Sequence, residues 1–239
     1  MLSFEALLIL GVIGFYLYDS IMLFNINELL LTKSYKGWFY KFPALELQLL
    51  RRYPLVLNPL TPSIAIFRTS WPNDVSFFNE SKIDKFSQSL KPVQLIVNIL
   101  FLLLLGCLPI ISLTYGSGPK LLSLFLVIYL LIIIILVYVF NNRQELILSK
   151  GDFTSLALES FLCPPFALNM VRKISLNYPN IGDPINFSEN FFDKDSKKVF
   201  SKDFGKVINR RMMFLEVESE HYLKLDTYLE KLYNMGKND

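Results

Sequence analysis

Cysteine and histidine are scarce in this 239-residue chain. The sequence has two cysteines, Cys107 and Cys163, and one histidine, His221. A small secreted domain held together by several disulfides needs more cysteines, so that class of protein is excluded. A carboxylate-bridged di-iron site needs two Glu-x-x-His motifs, so the lone motif from Glu218 to His221 cannot complete such a site within one copy of the chain.

Charged side chains are also few. Only 19% of the residues are charged, against about 25% in an ordinary soluble domain. Hydrophobic residues make up 52% of the chain, and the mean hydropathy is +0.38. The net charge of +3 is too small to indicate nucleic-acid binding. Because the apolar residues are concentrated in a few blocks, we expect a lipid bilayer as a partner and no nucleic acid.

Two of these blocks are long enough to cross a bilayer, which takes about 20 apolar residues in helical form. Residues 121–140 contain no charge at all, and residues 93–115 form a second uncharged run. The intervening Gly-Ser-Gly-Pro-Lys sequence, residues 116–120, is typical of a tight turn. The pattern predicts a transmembrane helical hairpin over 93–140.

A third apolar block lies near the N-terminus, from Ala6 to Phe24. No lysine or arginine precedes it and no small-residue cleavage site follows it, so we interpret residues 1–24 as an uncleaved transmembrane helix. Asp19 lies near the end of this block, where its carboxylate can reach the interface or a neighbouring helix.

The positions of lysine and arginine predict the orientation of these spans. Residues 25–92 contain nine of them and residues 141–239 contain fourteen, whereas the N-terminal tail has none and the hairpin turn has only Lys120. We therefore expect the N-terminus outside, the 25–92 region inside and the 141–239 region inside. The absence of a cleavable signal leads us to expect the cell membrane, specifically a bacterial inner membrane.

The 25–92 region is predicted to be a cytoplasmic and interfacial loop. Its aromatic and basic residues around Trp38 suit the headgroup layer. Pro43 is predicted to open a short helix that ends at Arg51 and Arg52. Four prolines between residues 54 and 72 then favour extended or turn structure.

The 141–239 region is predicted to be a cytoplasmic domain with an interfacial element and a terminal helix. Asp152 or Thr154 is predicted to cap a helix that runs to Leu162. The apolar stretch 161–168 then predicts an interfacial or re-entrant element, with Arg172 and Lys173 at the headgroups. Residues 177–206 resemble a loop, and a final helix begins near residue 219 with an apolar face that needs a partner. The predicted fold class is therefore an all-α integral membrane protein.

No residue is assigned a catalytic, cofactor-binding or metal-binding role. Asp19, Cys163 and His221 are the side chains for which a functional role stays open. Cys163 lies beside the predicted membrane element and could be a reactive or lipidated thiol, but a thiolate needs a base or a positive field nearby. Cys107, among leucines, is expected to be structural.

The remaining polar groupings have simpler interpretations. The hairpin turn lacks the Gly-Lys-Ser/Thr ending of a phosphate-binding loop. A group of acids, Asp183, Glu189, Asp193 and Asp195, lacks the spacing of a calcium loop. The arginine pairs at 51–52 and 210–211 fit contacts with anionic lipid or acidic partners as well as they fit ordinary surface charge. Motifs for nucleotide binding, proteases, kinases, zinc sites and RNA-binding modules are absent from the sequence.

Three functions are compatible with this pattern. The first is a non-catalytic membrane subunit or scaffold, because the large apolar surface outside the spans would meet another protein or a second copy of the chain. The second is a component of an oligomeric transporter or channel, since three helices cannot enclose a pore alone. The third is a membrane-bound enzyme that acts at the cytoplasmic face.

Overall fold

A computed structural model describes residues 3–34, 37–43, 52–71, 80–116, 118–217 and 219–237. The chain is mostly helical, but it also has a small β-sheet portion. The all-α prediction is therefore confirmed only in part, because the described residues between 21 and 70 include five strands, rich in hydrophobic and aromatic residues, where interfacial loops were predicted. The predicted helix from Pro43 to Arg52 lies mainly outside the described residues. The chain divides into two compact units, each assembled from separate segments.

The first unit, here the helical unit, consists of Met1–Met22, Val56–Ala65 and Asn79–Tyr178. Its helices are α1 (Phe4–Asp19), α2 (Glu80–Phe101), α3 (Leu108–Tyr115), α4 (Pro119–Asn141), α5 (Lys150–Leu162) and α6 (Met170–Leu176). A π-helical turn, Leu102–Cys107, joins α2 to α3, and a 3-10 helix, Pro164–Asn169, joins α5 to α6.

The predicted hairpin is present as two long helices. The first consists of α2, the π-helical turn and α3 without a break, and the second is α4; both are long and apolar enough to cross a membrane. Gly116 closes the turn between them with a φ of +64°, a left-handed conformation that glycine adopts at little cost. The first helix begins at Glu80 and not at Val93, and it contains Pro92, so the predicted loop ends earlier than expected.

Helix α1 is shorter than predicted. It begins at the Ser3 cap, whose hydroxyl accepts a hydrogen bond from the Ala6 amide, and it ends at Asp19. Sixteen residues give a helix about 24 Å long. The Ser20 hydroxyl donates to the Tyr16 carbonyl oxygen (2.8 Å), and the chain then enters strand β1 (Ile21–Phe24) instead of continuing as helix to Phe24.

Helix α5 runs back along α4, and α6 then returns. The cap of α5 is Ser149, which forms a capping box with Asp152, so α5 starts before either of the predicted caps, Asp152 or Thr154. The rings of Phe153 and Phe140 lie 5.3 Å apart near the end of α4. Eight residues later, Phe161 contacts Tyr129, at 5.4 Å, near the middle of α4. Past α6, Tyr178 contacts Phe86 near the start of α2 (4.8 Å), so α5, the 3-10 helix and α6 form a helical hairpin that we call the return hairpin.

The second unit, here the α+β unit, consists of Leu23–Leu55, Ile66–Phe78 and Pro179–Asp239. A three-stranded antiparallel sheet has the order β3 (Gly37–Lys41), β2 (Glu28–Ser34), β5 (Ile66–Ser70). Leu30 of β2 lies opposite Lys41 on one side and Arg68 on the other. Strand β1 pairs separately with β4 (Tyr53–Val56). The helices are α7 (Pro184–Phe191), α8 (Lys194–Met212) and α9 (Glu220–Lys237).

The predicted loop over 177–206 is wrong, because α7 and most of α8 occupy it. Although α8 is rich in lysine, its buried residues Phe200, Phe204, Val207 and Ile208 follow helical spacing and form one apolar face. The Phe204 ring meets that of Trp71 edge to face at 4.7 Å. The predicted terminal helix is confirmed as α9, and α8 supplies its partner: the Ser201 hydroxyl donates to the Leu232 carbonyl oxygen at 3.0 Å.

The caps of α7 and α8 predict opposite responses of stability to pH. Burial raises the pKa of Asp183, even though Tyr228 and the Asn186 amide donate hydrogen bonds to its carboxylate. The unfolded chain then releases this proton first, so Asp183 contributes a loss of stability as pH rises from its unfolded pKa through its folded pKa. Hydrogen bonds from Ser196 lower the pKa of exposed Asp193, so its contribution is present above the unfolded pKa and is lost as pH falls.

We therefore expect Asp183→Asn to remove a decrease in the free energy of unfolding with rising pH. Asp193→Asn should instead remove an increase in the free energy of unfolding with rising pH. Asparagine caps helices about as well as aspartate, so each variant should change mainly the pH dependence. Both tryptophans, Trp38 and Trp71, belong to the α+β unit, and urea unfolding followed by tryptophan emission between pH 3 and pH 7 measures the effect. Variants whose slopes differ from the parent's in the same direction would contradict this prediction.

Candidate functional site

A group of interacting polar side chains, most of them buried or half-buried, lies at the tip of the return hairpin. Its members come from the end of α1, the connection at residues 58–61, α5, the 3-10 helix and α6, all within the helical unit. We call it the Arg172 cluster, and it consists of Tyr16, Asp19, Ser20, Glu159, Asn169, Arg172 and Lys173.

Arg172 is the centre of the cluster. The residue is 2% exposed. Its guanidinium donates to the Asn169 side-chain oxygen (2.9 Å), to the Thr61 carbonyl oxygen (2.9 Å) and to the Asn58 carbonyl oxygen. The Tyr16 hydroxyl donates to the Pro59 carbonyl oxygen at 2.5 Å in the same connection. Arg172 thus ties an irregular segment of the chain to α6 through the backbone carbonyl groups of that segment, which also accept hydrogen bonds from within the segment.

Asn169 links Arg172 to α1. Its amide nitrogen donates to Asp19 Oδ2 at 3.0 Å and to the Ser20 hydroxyl at 3.2 Å, while its oxygen accepts from Arg172. Asn169 and Ser20 are fully buried. A buried asparagine that uses both its donor and its acceptor stabilises the contact and also fixes the relative orientation of its partners. Reversing the amide would break these hydrogen bonds.

Lys173 bridges the carboxylates of two helices. Its ammonium lies 2.8 Å from Asp19 Oδ1 of α1 and 2.8 Å from Glu159 Oε2 of α5. It also lies over the ring of Phe166, 5.1 Å from the centroid. Two cations, Arg172 and Lys173, therefore face two carboxylates, and the cluster is balanced in formal charge.

Cys163 lies between α5 and the 3-10 helix, next to this cluster. Burial raises the pKa of its thiol, and the nearby Asp19 carboxylate acts in the same direction, against the Phe166 amide and Lys173. The group is therefore a thiol at neutral pH and a poor nucleophile. The arrangement favours a structural role for Cys163.

Chemically, the Arg172 cluster is suited to holding helices together. Asp19 joins α1 to α6 and, through Lys173, to α5, while Arg172 joins α6 to the 58–61 connection. Each ionised group has an oppositely charged or hydrogen-bonding partner, as buried charges require. The cluster thus fixes the return hairpin against α1.

The prediction that Arg172 lies at the headgroups is wrong. Its side chain is buried against backbone carbonyl groups, and only Lys173 keeps part of its side chain exposed. The interfacial stretch is also mixed: Leu162 is exposed, whereas Ala167 and Leu168 are fully buried. The sequence carried a signal for this site, because Asp19 is the one acid in an apolar block and Asn169, Arg172 and Lys173 follow another apolar stretch.

The other singled-out residues lie elsewhere. His221 is exposed in the first turn of α9, and its motif partner, residue 218, lies outside the described residues. Asp183 and Asp193 are caps of separate helices, so the group of acids does not converge. Among the described residues, no group of three or more histidine, cysteine or acidic side chains is arranged to hold a metal ion.

A second candidate surface is the apolar exterior of the helical unit. Only 28% of the most apolar 18-residue window is buried in each of the two long helices. Large apolar side chains such as Leu122, Leu126 and Leu130 of α4 are more than half exposed. A helix from the core of a soluble protein would bury most of such a window. No protein-family model, curated protein or solved structure matches this chain.

Proposed function

We propose that this protein is an integral membrane subunit without catalytic activity, whose helical unit lies in the bilayer and whose α+β unit faces the cytoplasm and holds a partner protein. The observation that carries the proposal is the large apolar exterior of the two long helices, because only 28% of each apolar window is buried. Water is a poor solvent for such a surface, whereas hydrocarbon is a good one.

The geometry of α1 supports a third span with the N-terminus outside. A Cβ at Gly116 would lie 3.9 Å from the Glu5 carboxylate, so the start of α1 lies beside the turn of the transmembrane hairpin. Further along, the Tyr16 ring contacts Phe101 at 6.3 Å. Helix α1 therefore follows the hairpin inwards from its turn, as the predicted orientation requires.

The composition of the α+β unit supports the predicted sidedness. Positive charge predicts that the region after α1 and the C-terminal region both lie inside. These two regions contribute Leu23–Leu55, Ile66–Phe78 and Pro179–Asp239 to the same compact unit. Segments that fold together must lie on one side of a membrane, so the orientation inferred from charge and the assembly of this unit agree.

In this orientation the return hairpin enters the bilayer. Phe161 lies beside Tyr129, eleven residues before Phe140 on α4, which corresponds to a depth of about 16 Å at 1.5 Å per residue. Irregular backbone is tolerated at such a depth only when protein covers it. The 3-10 helix meets this condition, because Ala167, Leu168 and Asn169 are fully buried.

The proposed partner surface is the turn between α8 and α9. Met213, Phe214 and Val217 are all strongly exposed there, on the unit that we place in the cytoplasm. Adjacent exposed apolar side chains often mark a protein-protein contact. The charge-balanced Arg172 cluster is better suited to holding helices together than to turnover, which supports a subunit without catalytic activity.

Labelling of single cysteines tests the orientation. In a chain with Cys107→Ala and Cys163→Ala, we expect a membrane-impermeant maleimide to label Lys120→Cys in intact cells. Lys202→Cys, at an exposed position of α8, should react only after permeabilisation. Leu130→Cys should stay unreactive, because maleimide alkylation needs a thiolate in water.

Labelling of Lys202→Cys from outside intact cells would contradict the orientation, and rapid labelling of Leu130→Cys would contradict the membrane assignment. The partner is tested by solubilising the unmodified chain at native level in mild detergent. We expect a retained protein that Met213→Ser with Phe214→Ser releases, and a clean monomer would contradict the scaffold proposal.

The same geometry also favours a second candidate function, a component of an oligomeric transporter. Ionisable residues at membrane depth often lie on ion pathways, and Asp19 and Lys173 are both partly exposed. If the cluster carries ions, Asp19→Asn should abolish flux in a reconstituted assembly while Glu5→Gln, at the other end of α1, leaves flux unchanged. Unchanged flux in Asp19→Asn would eliminate this candidate and leave the structural role.

A further inference from the structure

The α+β unit contains a cavity of about 600 Å³. This volume is typical of a site for a small molecule. Its walls come from α8, α9 and the region around Trp71, and its polar and aromatic lining includes Trp71, Arg211, His221, Lys224, Tyr228 and Lys231. None of these residues has a role in the function proposed above.

Trp71 lines this cavity and carries an unpaired donor. The residue is 1% exposed, and its indole nitrogen has no hydrogen-bond acceptor among the described residues. A buried N–H group without an acceptor destabilises the folded state, so such groups are rare in folded proteins. An acceptor atom from a bound molecule would remove this cost.

Arg211 supplies further donors. Its guanidinium is half-buried and makes one long hydrogen bond, 3.4 Å, to the Trp71 carbonyl oxygen. No carboxylate lies within ion-pair distance of it in the described part of the chain. Burial lowers the pKa of Arg211 without an opposing carboxylate. A guanidinium has five N–H donors in a planar fork that matches the oxygens of an anion.

The charges that line the cavity are unbalanced towards the positive. Lys224 pairs with Glu220 at 2.6 Å, so these two charges cancel. Lys231 has no ion pair within the described ranges, although its charge acts on the buried Asp183 carboxyl group that Tyr228 contacts. The acid in the described lining, Glu220, is thus paired with Lys224, and Arg211 and Lys231 remain without an ion pair.

We propose that this cavity binds a phosphate monoester, with Arg211, Lys231 and the Trp71 indole N–H as donors to the phosphate oxygens. Two cations without an ion pair match a dianion better than they match the single charge of a carboxylate. The phosphate could belong to a soluble metabolite or to a lipid headgroup, since both present the same group. This inference goes beyond the proposed membrane function and does not depend on it.

The test uses the full chain in detergent with Trp38→Phe, so that Trp71 is the sole indole. Glycerol 3-phosphate should change the Trp71 emission saturably, while sodium acetate at equal ionic strength should not. Arg211→Gln should weaken binding at least tenfold, as loss of one charged hydrogen-bonded contact predicts. The adjacent Arg210→Gln is the matched control and should bind within about twofold of the parent.

Nanodiscs separate the two sources of phosphate. If a lipid supplies the group, phosphatidic acid discs should shift the Trp71 emission and block the response to glycerol 3-phosphate, whereas phosphatidylcholine discs should not. If a soluble molecule supplies the phosphate, the chain should show the same Trp71 emission and the same response to glycerol 3-phosphate in both kinds of disc. Absence of saturable binding, or equal binding by Arg211→Gln and the parent, would overturn the proposal. Calorimetry on the chain with both tryptophans repeats the test independently of Trp38→Phe.

Discussion

Replacing Arg172 with methionine should destabilise the helical unit by about 3–5 kcal/mol, because removal of one partner from a buried charged network leaves the rest uncompensated. The carbonyl oxygens of the 58–61 connection would lose their charged donor and keep only longer hydrogen bonds from within the segment. Lys173 would be the one cation left in the cluster, against Asp19 and Glu159. Circular dichroism during titration with SDS, starting in mild detergent, measures the loss of helical structure.

Two further variants separate charge from geometry in this prediction. Arg172→Lys keeps the charge but cannot reach three acceptors in a planar arrangement, so we expect an intermediate loss. Arg143→Met removes a half-buried arginine that stacks on Phe140 (4.9 Å), and it should cost less than about 1 kcal/mol. If Arg172→Met and Arg143→Met behave alike, the cluster does not hold the helices together.

Two charges on the exposed face of α4 should have the other largest effect. Leu126 and Leu130 lie one turn apart and are 66% and 53% exposed. In lipid, each lysine near the middle of a span costs about 2.5–3.5 kcal/mol on the insertion scale, whereas in water it would cost almost nothing. We expect Leu126→Lys with Leu130→Lys to deplete the chain strongly from carbonate-washed membranes.

The matched control places two lysines at exposed apolar positions of the α+β unit. Val199 and Met213 are 54% and 82% exposed there, and Val199→Lys with Met213→Lys should leave the amount of chain in the membrane unchanged. Equal tolerance of both pairs would show that α4 does not lie in hydrocarbon, and the proposed function would fail with it.

Long-range pairing explains what sequence patterns missed. The pattern of α8 resembles a loop because lysines and aspartates dominate it, and its apolar face becomes apparent only against α9 and Trp71. Strand β2 likewise pairs not only with its neighbour β3 but also with β5, which lies more than thirty residues away in sequence. Local propensity cannot select such partners, because strand stability depends on cross-strand contacts.

The Arg172 cluster shows the same limit. Asp19 was an evident candidate, and its contact with another helix follows from the rule that isolated acids in apolar segments find partners. Its actual partners, Asn169 and Lys173, are 150 or more residues away in sequence. An arginine that follows an apolar stretch, as Arg172 does, is typical of the headgroup layer. Only its burial against the 58–61 connection shows that the side chain contacts protein instead.

The sequence by itself determined the two long apolar helices, the turn at Gly116 and the amphipathic α9, because each depends on the polarity and backbone preference of neighbouring residues. Only the tertiary structure decided that strands β1 to β5 form, that α5 and α6 make a return hairpin, and that Arg172 is buried. These features depend on which distant groups satisfy a buried carbonyl, charge or apolar face, and the local order of residues does not contain that information.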